Sequence, residues 1–302
     1  MLRKKILNCG HDNDHFYIFP KISLTKNDRG YWEKSLRYEV EDNCVRKVNM
    51  ESYVEDILKL CKQNSINKIY SFESLITKEL KSLSSCIALV DIPMLEWVVK
   101  KDLQNGGYSI FSDIICLTNI CQSVFSEYIP CRKISLPLSS SGNNDFLRDS
   151  NLIFHQATTN KFFSNKNTFE TLLAFDMSSK LLPNLNFIVS GELNPKELSI
   201  VKSNEKIKYI GVLNDHSDVM LLYKKAGCLV APSKKEGLGM AYIEAKENGC
   251  KIISTDYSPM NEFSDYHCKA RIEKDGTLQP NAFVDRNEIF GNIIRYYEDY
   301  CV

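Results

Sequence analysis

The stretch SKKEGLGMAYIEAKENGC, residues 233–250, places two carboxylates, Glu236 and Glu244, on either side of a Gly237-Leu238-Gly239 turn. GCLVAPS precedes the glutamates and KIISTD follows, so the pattern predicts strand, loop, helix, strand. The helix should run from about Met240 to Asn248, with Gly249 at its C-terminal end. A glycine loop feeding a helix N-terminus offers backbone N–H groups and the positive end of the helix dipole to a phosphate or a sugar hydroxyl. Glycine also lets a ligand approach the backbone closely. A carboxylate accepts from two adjacent hydroxyls, which is how a ribose or a hexose is commonly held. Glu236 is expected in the loop and Glu244 deeper on the helix, aimed at what the loop holds. By spacing alone, an ordinary loop with surface glutamates is the favoured reading.

The elements that must position this stretch alternate along the chain. KKILNCG, NKIYSF, CIALVDIP, SDIICLT and RKISLPL read as strands in the first half, with helical spacing in VEDILKLCKQNSI and ITKELKSLSS. SSSGNNDFLRDS, residues 139–150, has no apolar period and reads as a linker. The alternation then restarts with NLIFHQA, NTFETLLAFDMSSKL, NFIVSGE, IKYIGVL, HSDVMLLYKKA and GCLVAPS. Strands separated by helices predict α/β architecture in βαβ units. The expected organisation is an N-terminal domain over 1–138, the linker 139–150, a C-terminal domain over 151–285, and a last helix over 286–302. In that helix Ile289, Phe290, Ile293, Ile294 and Tyr297 recur at helical spacing, and the face is expected to return onto the N-terminal domain. Two such Rossmann-like parallel-sheet domains face each other across a cleft, where open α/β sheets bind ligands.

Lys plus Arg equal Asp plus Glu at 38 each, a balance that predicts neither a nucleic-acid nor a membrane partner. The apolar run at the N-terminus is too short for a signal-peptide core, and no stretch approaches the ~18 apolar residues of a membrane span. The expected location is therefore cytoplasmic. Eleven cysteines without a C-x-x-C pair read as reduced, mostly buried thiols.

The segment IKYIGVLNDHSDVMLLYKKAGCLVAPSKKEGLGMAYIEAKENGCKIISTDYSPMNEF resembles the donor domain of family 4 retaining glycosyltransferases of the GT-B fold. Gly211, Tyr223, Ala226, Pro232, Ser233, Glu236, Gly237, Gly239, Glu244, Ala245, Gly249, Pro259 and Glu262 fall in step with that family's E-x7-E pattern. Leu238 stands where its EGFG phenylalanine would be. NLIFHQATTNKFFSNKNTFETLLAFDMSSKLLPNLNFIVSGE is similar to the same domain's first unit. The resemblance implies that Lys166 neutralises a donor diphosphate, with Lys161 substituting for the family's arginine. Val212, after Gly211, would lie beside the base, and Glu244 would hold the nucleotide ribose. The N-terminal half matches loosely: CGHDNDH replaces a Gly-Gly loop, so Gly10 is assigned close approach to the donor or acceptor, and the domain is reduced. Asp91, ending the strand ALVDI, takes the place of a polar group beside the donor sugar.

Together these imply a retaining glycosyltransferase moving a hexosyl or pentosyl group from a nucleotide-sugar co-substrate, a UDP-sugar, to a hydroxyl acceptor. Glu236, Lys166 and Asp91 act in catalysis; Lys161, Val212, Gly237, Leu238, Gly239, Glu244 and Gly10 bind the donor. The acceptor is a surface polysaccharide or lipid-linked glycan, with association at the inner membrane face. Two alternatives stand beside it: a phage-type enzyme acting on a hydroxymethylated base in DNA, and a non-catalytic nucleotide-sugar-binding subunit. The HDNDH string (His11, Asp12, Asp14, His15) looks like metal ligands, but a polar loop after a strand yields the same string, and no metal or cofactor is assigned. PMLEWVVKK, 93–101, reads as an amphipathic helix carrying Trp97, packed on the core or touching a membrane edge.

Overall fold

The computed structural model describes residues 17–20, 45–48, 53–63, 65–72, 78–95, 98–136, 138, 148–158 and 165–301. The chain divides into two compact units, one drawn from residues up to 137 and one from 138 onward, with 94–96 and 118–121 grouped with the second.

The N-terminal part holds β1 (Tyr17–Pro20), β2 (Val45–Val48), α1 (Tyr53–Gln63), β3 (Lys68–Phe72), α2 (Lys78–Ser84) and β4 (Ala88–Ile92). It continues with α3 (Lys100–Gln104), β5 (Asp113–Cys116), α4 (Asn119–Ser126) and β6 (Arg132–Lys133). β3, β4, β5 and β6 pair in that order in a parallel sheet, and β1 and β2 form a parallel pair. Leu89, Val90 and Ile92 of β4 are buried, as in a parallel strand covered on both faces. The helix expected over 93–101 does not form there. Met94 and Leu95 are buried, Val99 is extended at φ −79°, ψ 115°, and the helix begins only at Lys100. The β-branched pair Val98-Val99 loses rotamer freedom in a helix, which favours the extended entry. Trp97, Gly10, Lys161 and the HDNDH string lie outside the described residues.

The second unit holds β7 (Asp149–Gln156), α5 (Thr168–Leu181), β8 (Asn186–Ser190), α6 (Pro195–Ser203), β9 (Ile207–Tyr209) and α7 (His216–Lys225). It closes with β10 (Ala226–Ala231), α8 (Met240–Glu247), β11 (Lys251–Thr255), β12 (Tyr266–Cys268), β13 (Arg271–Glu273), β14 (Asn281–Phe283) and α9 (Arg286–Tyr300). Six strands form a parallel sheet in the order β12-β11-β10-β7-β8-β9. From β7 the chain winds outward through β8 and β9, then returns to β10 and winds the other way. The strand order therefore reverses between β7 and β10, and crevices at such reversals are where open α/β sheets bind ligands.

Alternate strand residues bury opposite faces. Ile153, Cys228, Val230 and Ile253 pack with Leu172 and Phe175 of α5 and Ile289 and Ile293 of α9. Phe154, Leu229 and Ile252 pack with Tyr223 of α7 and Tyr242 and Ala245 of α8. Phe175 stacks on Phe187 with centroids 4.2 Å apart. The apolar face of α9 is thus taken up by the second unit's own core. Periodicity shows that a helix needs a partner, not which one, and for Ile289 and Ile293 that partner is this core.

Several elements are not read from the sequence, α6 and the β13–β14 hairpin among them. α6 lies between strands read as consecutive. Asn194 accepts from the N–H groups of Lys196 and Glu197, Glu197 accepts from the Asn194 N–H at 2.8 Å, and Pro195 opens the helix, so a capping box sets its start. β13 and β14 form an antiparallel hairpin. The 139–150 segment also ends earlier than its composition implied. Arg148 donates to the Ala226 carbonyl at 2.7 Å and to the Asn248 carbonyl at the end of α8, and β7 starts at Asp149. Among the described residues no helix is long and apolar enough to cross a membrane.

Candidate functional site

The loops after β7 and β10 emerge at the carboxyl ends of adjacent strands, and they carry Lys166 and Glu236. Their side chains meet: Lys166 Nζ lies 2.5 Å from Glu236 Oε1. The backbones are joined as well, by the Lys234 N–H donating to the Asn165 carbonyl at 2.7 Å. Beneath Lys166, α5 begins at Asn167, whose φ of 55° is left-handed and whose Nδ2 donates to the Val284 carbonyl at 2.8 Å. Asparagine tolerates that conformation better than most residues.

His155 of β7 lies fully buried under the same corner. Its Nδ1 is 2.7 Å from the Val230 carbonyl and its Nε2 is 2.9 Å from Thr168 Oγ1. A carbonyl only accepts, so Nδ1 carries the hydrogen and Nε2 accepts from the threonine hydroxyl. Burial, followed by the nearby Lys166 charge, lowers the imidazole's pKa to about 4 against a donor bond to Val230 that raises it. The ring is neutral and ties β10 to the first turn of α5.

After Glu236 the chain passes Gly237 and the buried Leu238 to Gly239, which has φ +77° and enters α8 without a side-chain cap. A Cβ on Gly239 would stand 2.3 Å from Tyr242 Cδ2, so both conformation and space demand glycine. The Tyr242 hydroxyl donates to the Ala231 carbonyl at 2.9 Å, pinning the helix to the end of β10. Glu244 follows on α8, nearly buried, with Oε1 3.5 Å from Nε2 of His216, the first residue of α7. Burial pushes the Tyr223 hydroxyl well up, and the Glu244, Cys250 and Glu236 charges add to it. Val212 is 40% exposed in the loop after β9, beside Gly211 at φ +71°. The Gly211 carbonyl accepts from the Gly191 N–H at 2.8 Å, which ties that loop to the end of β8.

The second unit therefore brings Lys166, Glu236, Gly237, Leu238, Gly239 and Glu244 onto the loops and helix around the strand-order reversal. Asp91 belongs to the first unit. It is wholly buried in β4, in register between Ser71 of β3 and Ile114 of β5. From the sequence, His155 and His216 read only as isolated histidines, more often structural or exposed than catalytic, and Gln279 carries no signal. The last is buried and donates from Nε2 to the Glu236 carbonyl at 2.7 Å. A lone histidine or glutamine in a sequence carries no spacing signal.

Residues 156–284 match the family described as glycosyl transferases group 1. The matched segment spans the loops bearing Lys166, Glu236 and Glu244. The fold is similar to the pneumococcal O-GlcNAc transferase GtfA in complex with UDP and GlcNAc, at TM-score 0.58 and 14% identity. That match covers 80% of this chain and 53% of that one. A glycosyltransferase from Rickettsia africae aligns at TM-score 0.66 and 11% identity over 95% of this chain and 89% of its own. The lipopolysaccharide outer core galactosyltransferase WaaB aligns at TM-score 0.58 and 12% identity over 84% and 75%. The chain spans about half the length of the pneumococcal enzyme. No curated protein matches it by sequence. At these identities the likeness establishes the fold, two Rossmann-like parallel-sheet domains of the GT-B class.

Proposed function

We propose that the chain is a retaining glycosyltransferase that moves a sugar from a UDP-sugar to a hydroxyl acceptor on a surface polysaccharide or lipid-linked glycan. The observation that carries this is the Lys166–Glu236 pair, 2.5 Å apart at the strand-order reversal of a group 1 segment. Lys166 and the N–H groups from Gly237 to the start of α8 meet the donor diphosphate, whose negative charge grows as the sugar C1–O bond breaks. Glu236 accepts from hydroxyls of the transferred sugar, and Glu244 accepts from the ribose. Val212 lies beside the base, Lys161 is assigned to the phosphates, and Gly10 to close approach of the donor or the acceptor. The acceptor oxygen bonds to C1 on the face the diphosphate leaves, and its proton passes to a leaving phosphate oxygen. Retention then requires no protein nucleophile. Support for this reading comes from two similar folds: the pneumococcal transferase is described in complex with UDP and GlcNAc, a precedent for a UDP donor, and WaaB is described as a lipopolysaccharide outer core galactosyltransferase, a precedent for a lipid-linked glycan acceptor.

The test is UDP release from UDP-glucose, UDP-galactose and UDP-N-acetylglucosamine, with and without glycan acceptors, beside calorimetric titration of UDP. Absence of both UDP binding and UDP release would overturn the proposal.

A further inference from the structure

We infer that the β13–β14 hairpin is a brace that sets Glu236, with Gln279 as its positioning residue; this rests on the reading of Glu236 as the carboxylate that holds the transferred sugar. Three consecutive loop residues are fastened to the hairpin. The Ala282 N–H donates to the Lys234 carbonyl at 2.9 Å. Lys235 Nζ donates to Thr277 Oγ1 at 2.7 Å, and Gln279 Nε2 donates to the Glu236 carbonyl at 2.7 Å. Lys234 Nζ also lies 5.4 Å from the centre of the Phe283 ring. On its other side the same loop is held by Asn165, the neighbour of Lys166.

The hairpin end is itself ordered from within. Asp275 Oδ1 accepts from the Thr277 N–H at 3.0 Å and from its hydroxyl at 2.5 Å, and Oδ2 accepts from Asn281 Nδ2 at 2.8 Å. Gly276, at φ +81°, makes the turn that closes this Asp-centred bend. Residues 271–277 are exposed, yet Gln279 is only 1% exposed. A solvent-facing turn that buries one amide against the backbone of a ligand-binding glutamate spends that burial on placement rather than on a core. A carboxylate that must meet sugar hydroxyls gains from a fixed backbone, because small displacements cost transition-state contacts more than ground-state binding. Lys166 stands on the separate loop after β7, and the α8 N-terminus is also pinned to the end of β10 by the Tyr242 hydroxyl, which donates to the Ala231 carbonyl at 2.9 Å. Loosening the brace should therefore separate turnover from nucleotide affinity.

The experiment compares Gln279→Met, which keeps the volume but loses the donor, and Thr277→Val, on the exposed turn, with the parent and with Glu236→Gln. Release of UDP from UDP-glucose and UDP-N-acetylglucosamine gives kcat, titration with UDP gives affinity, and amide hydrogen exchange follows residues 234–239. The expected result for Gln279→Met is a kcat roughly tenfold lower, UDP affinity within about twofold of the parent, and faster exchange at 234–239. Thr277→Val should shift each measure in the same direction by less. Unchanged exchange at 234–239 in both variants overturns the brace, whatever the turnover. A loss of UDP affinity equal to the loss of kcat overturns it too, since the hairpin would then be general support. If Glu236→Gln turns over as the parent does, the assignment of Glu236 falls, while the exchange measurement still decides whether the hairpin orders its loop.

Discussion

Lys166 Nζ and Glu236 Oε1 stand 2.5 Å apart, so the two groups assigned to opposite ends of the donor neutralise each other. A diphosphate must draw Lys166 away from the carboxylate, and the sugar must take the carboxylate in turn. Binding therefore exchanges one ion pair for two new contacts. Glu236→Gln removes the competitor for Lys166. It should tighten UDP binding by roughly twofold to fivefold, the range of a partly exposed ion pair. It should also lower kcat by about 10²-fold, because the sugar hydroxyls lose their charged acceptor. Calorimetry with UDP beside steady-state turnover checks both arms. Weaker UDP binding in the variant would show that the pair does not compete with the diphosphate.

Glu244 should fail differently. It is nearly buried on α8, with His216 3.5 Å away, and is assigned to a ribose whose contacts change little between ground and transition states. Glu244→Gln should cost about 1–2 kcal/mol of UDP affinity, roughly fivefold to thirtyfold in Kd, with kcat at saturation close to the parent's. An unchanged Kd would remove Glu244 from the nucleotide site.

How much of this was legible can be judged from particular residues. The 233–250 stretch was readable because each feature is local: Gly239 is demanded by its φ and by Tyr242, and Gly249 by its φ of +76° at the end of α8. The parallel strands were readable because buried β strands in βαβ units leave continuous apolar runs. α6 is hard to see by periodicity because its apolar stripe is weak, although Asn194, Pro195 and Glu197 spell its start. The 93–101 helix was expected from apolar spacing alone, which the β-branched Val98-Val99 pair overrode. His155, Gln279 and His216 were invisible as partners, since their roles depend on bonds to residues up to 75 positions away. For the same reason the face of α9 could be seen but its partner could not.

Turnover should not require a divalent cation. The motive is chemical: Lys166 supplies a fixed positive charge, and the uncapped start of α8 supplies N–H donors where the diphosphate charge develops. UDP release should be the same within about twofold in EDTA and in Mg²⁺ or Mn²⁺. Loss of activity in EDTA, restored by Mn²⁺, would refute this.

The place of α9 in the second unit's core has an energetic consequence. Ile293 is fully buried among residues of α5 and the six-stranded sheet. Ile293→Ala should cost about 2–5 kcal/mol of unfolding free energy by leaving a cavity there. Urea unfolding of the variant measures it, and a loss below about 1 kcal/mol would mean that the face is not part of that core.

Acid should weaken the second unit through His155. Its pKa is lowered in the folded protein to about 4, chiefly by burial and then by Lys166, from an ordinary value of 6.5. Between those two values the unfolded chain binds a proton that the folded protein refuses. Stability must then rise with pH across this window: it is fully present above about 6.5 and is lost progressively down to about 4. The shift corresponds to about 3 kcal/mol. Carboxylates titrate at the lower end of the same window, so the parent's profile alone cannot isolate the imidazole. His155→Gln can, because it keeps a polar side chain between Val230 and Thr168 without an ionisable group. The variant should be less stable at pH 7.5, where the native bonds are lost without compensation. Its melting temperature should fall less than the parent's as the pH is lowered from 6.5 to 4.5, since the unfolded state no longer gains a proton at this site. Parallel melting curves for the two proteins, taken every half pH unit, read the difference directly. If the two profiles run parallel through the window, His155 does not titrate as its burial requires, and its neutral bridge between β10 and α5 is wrong.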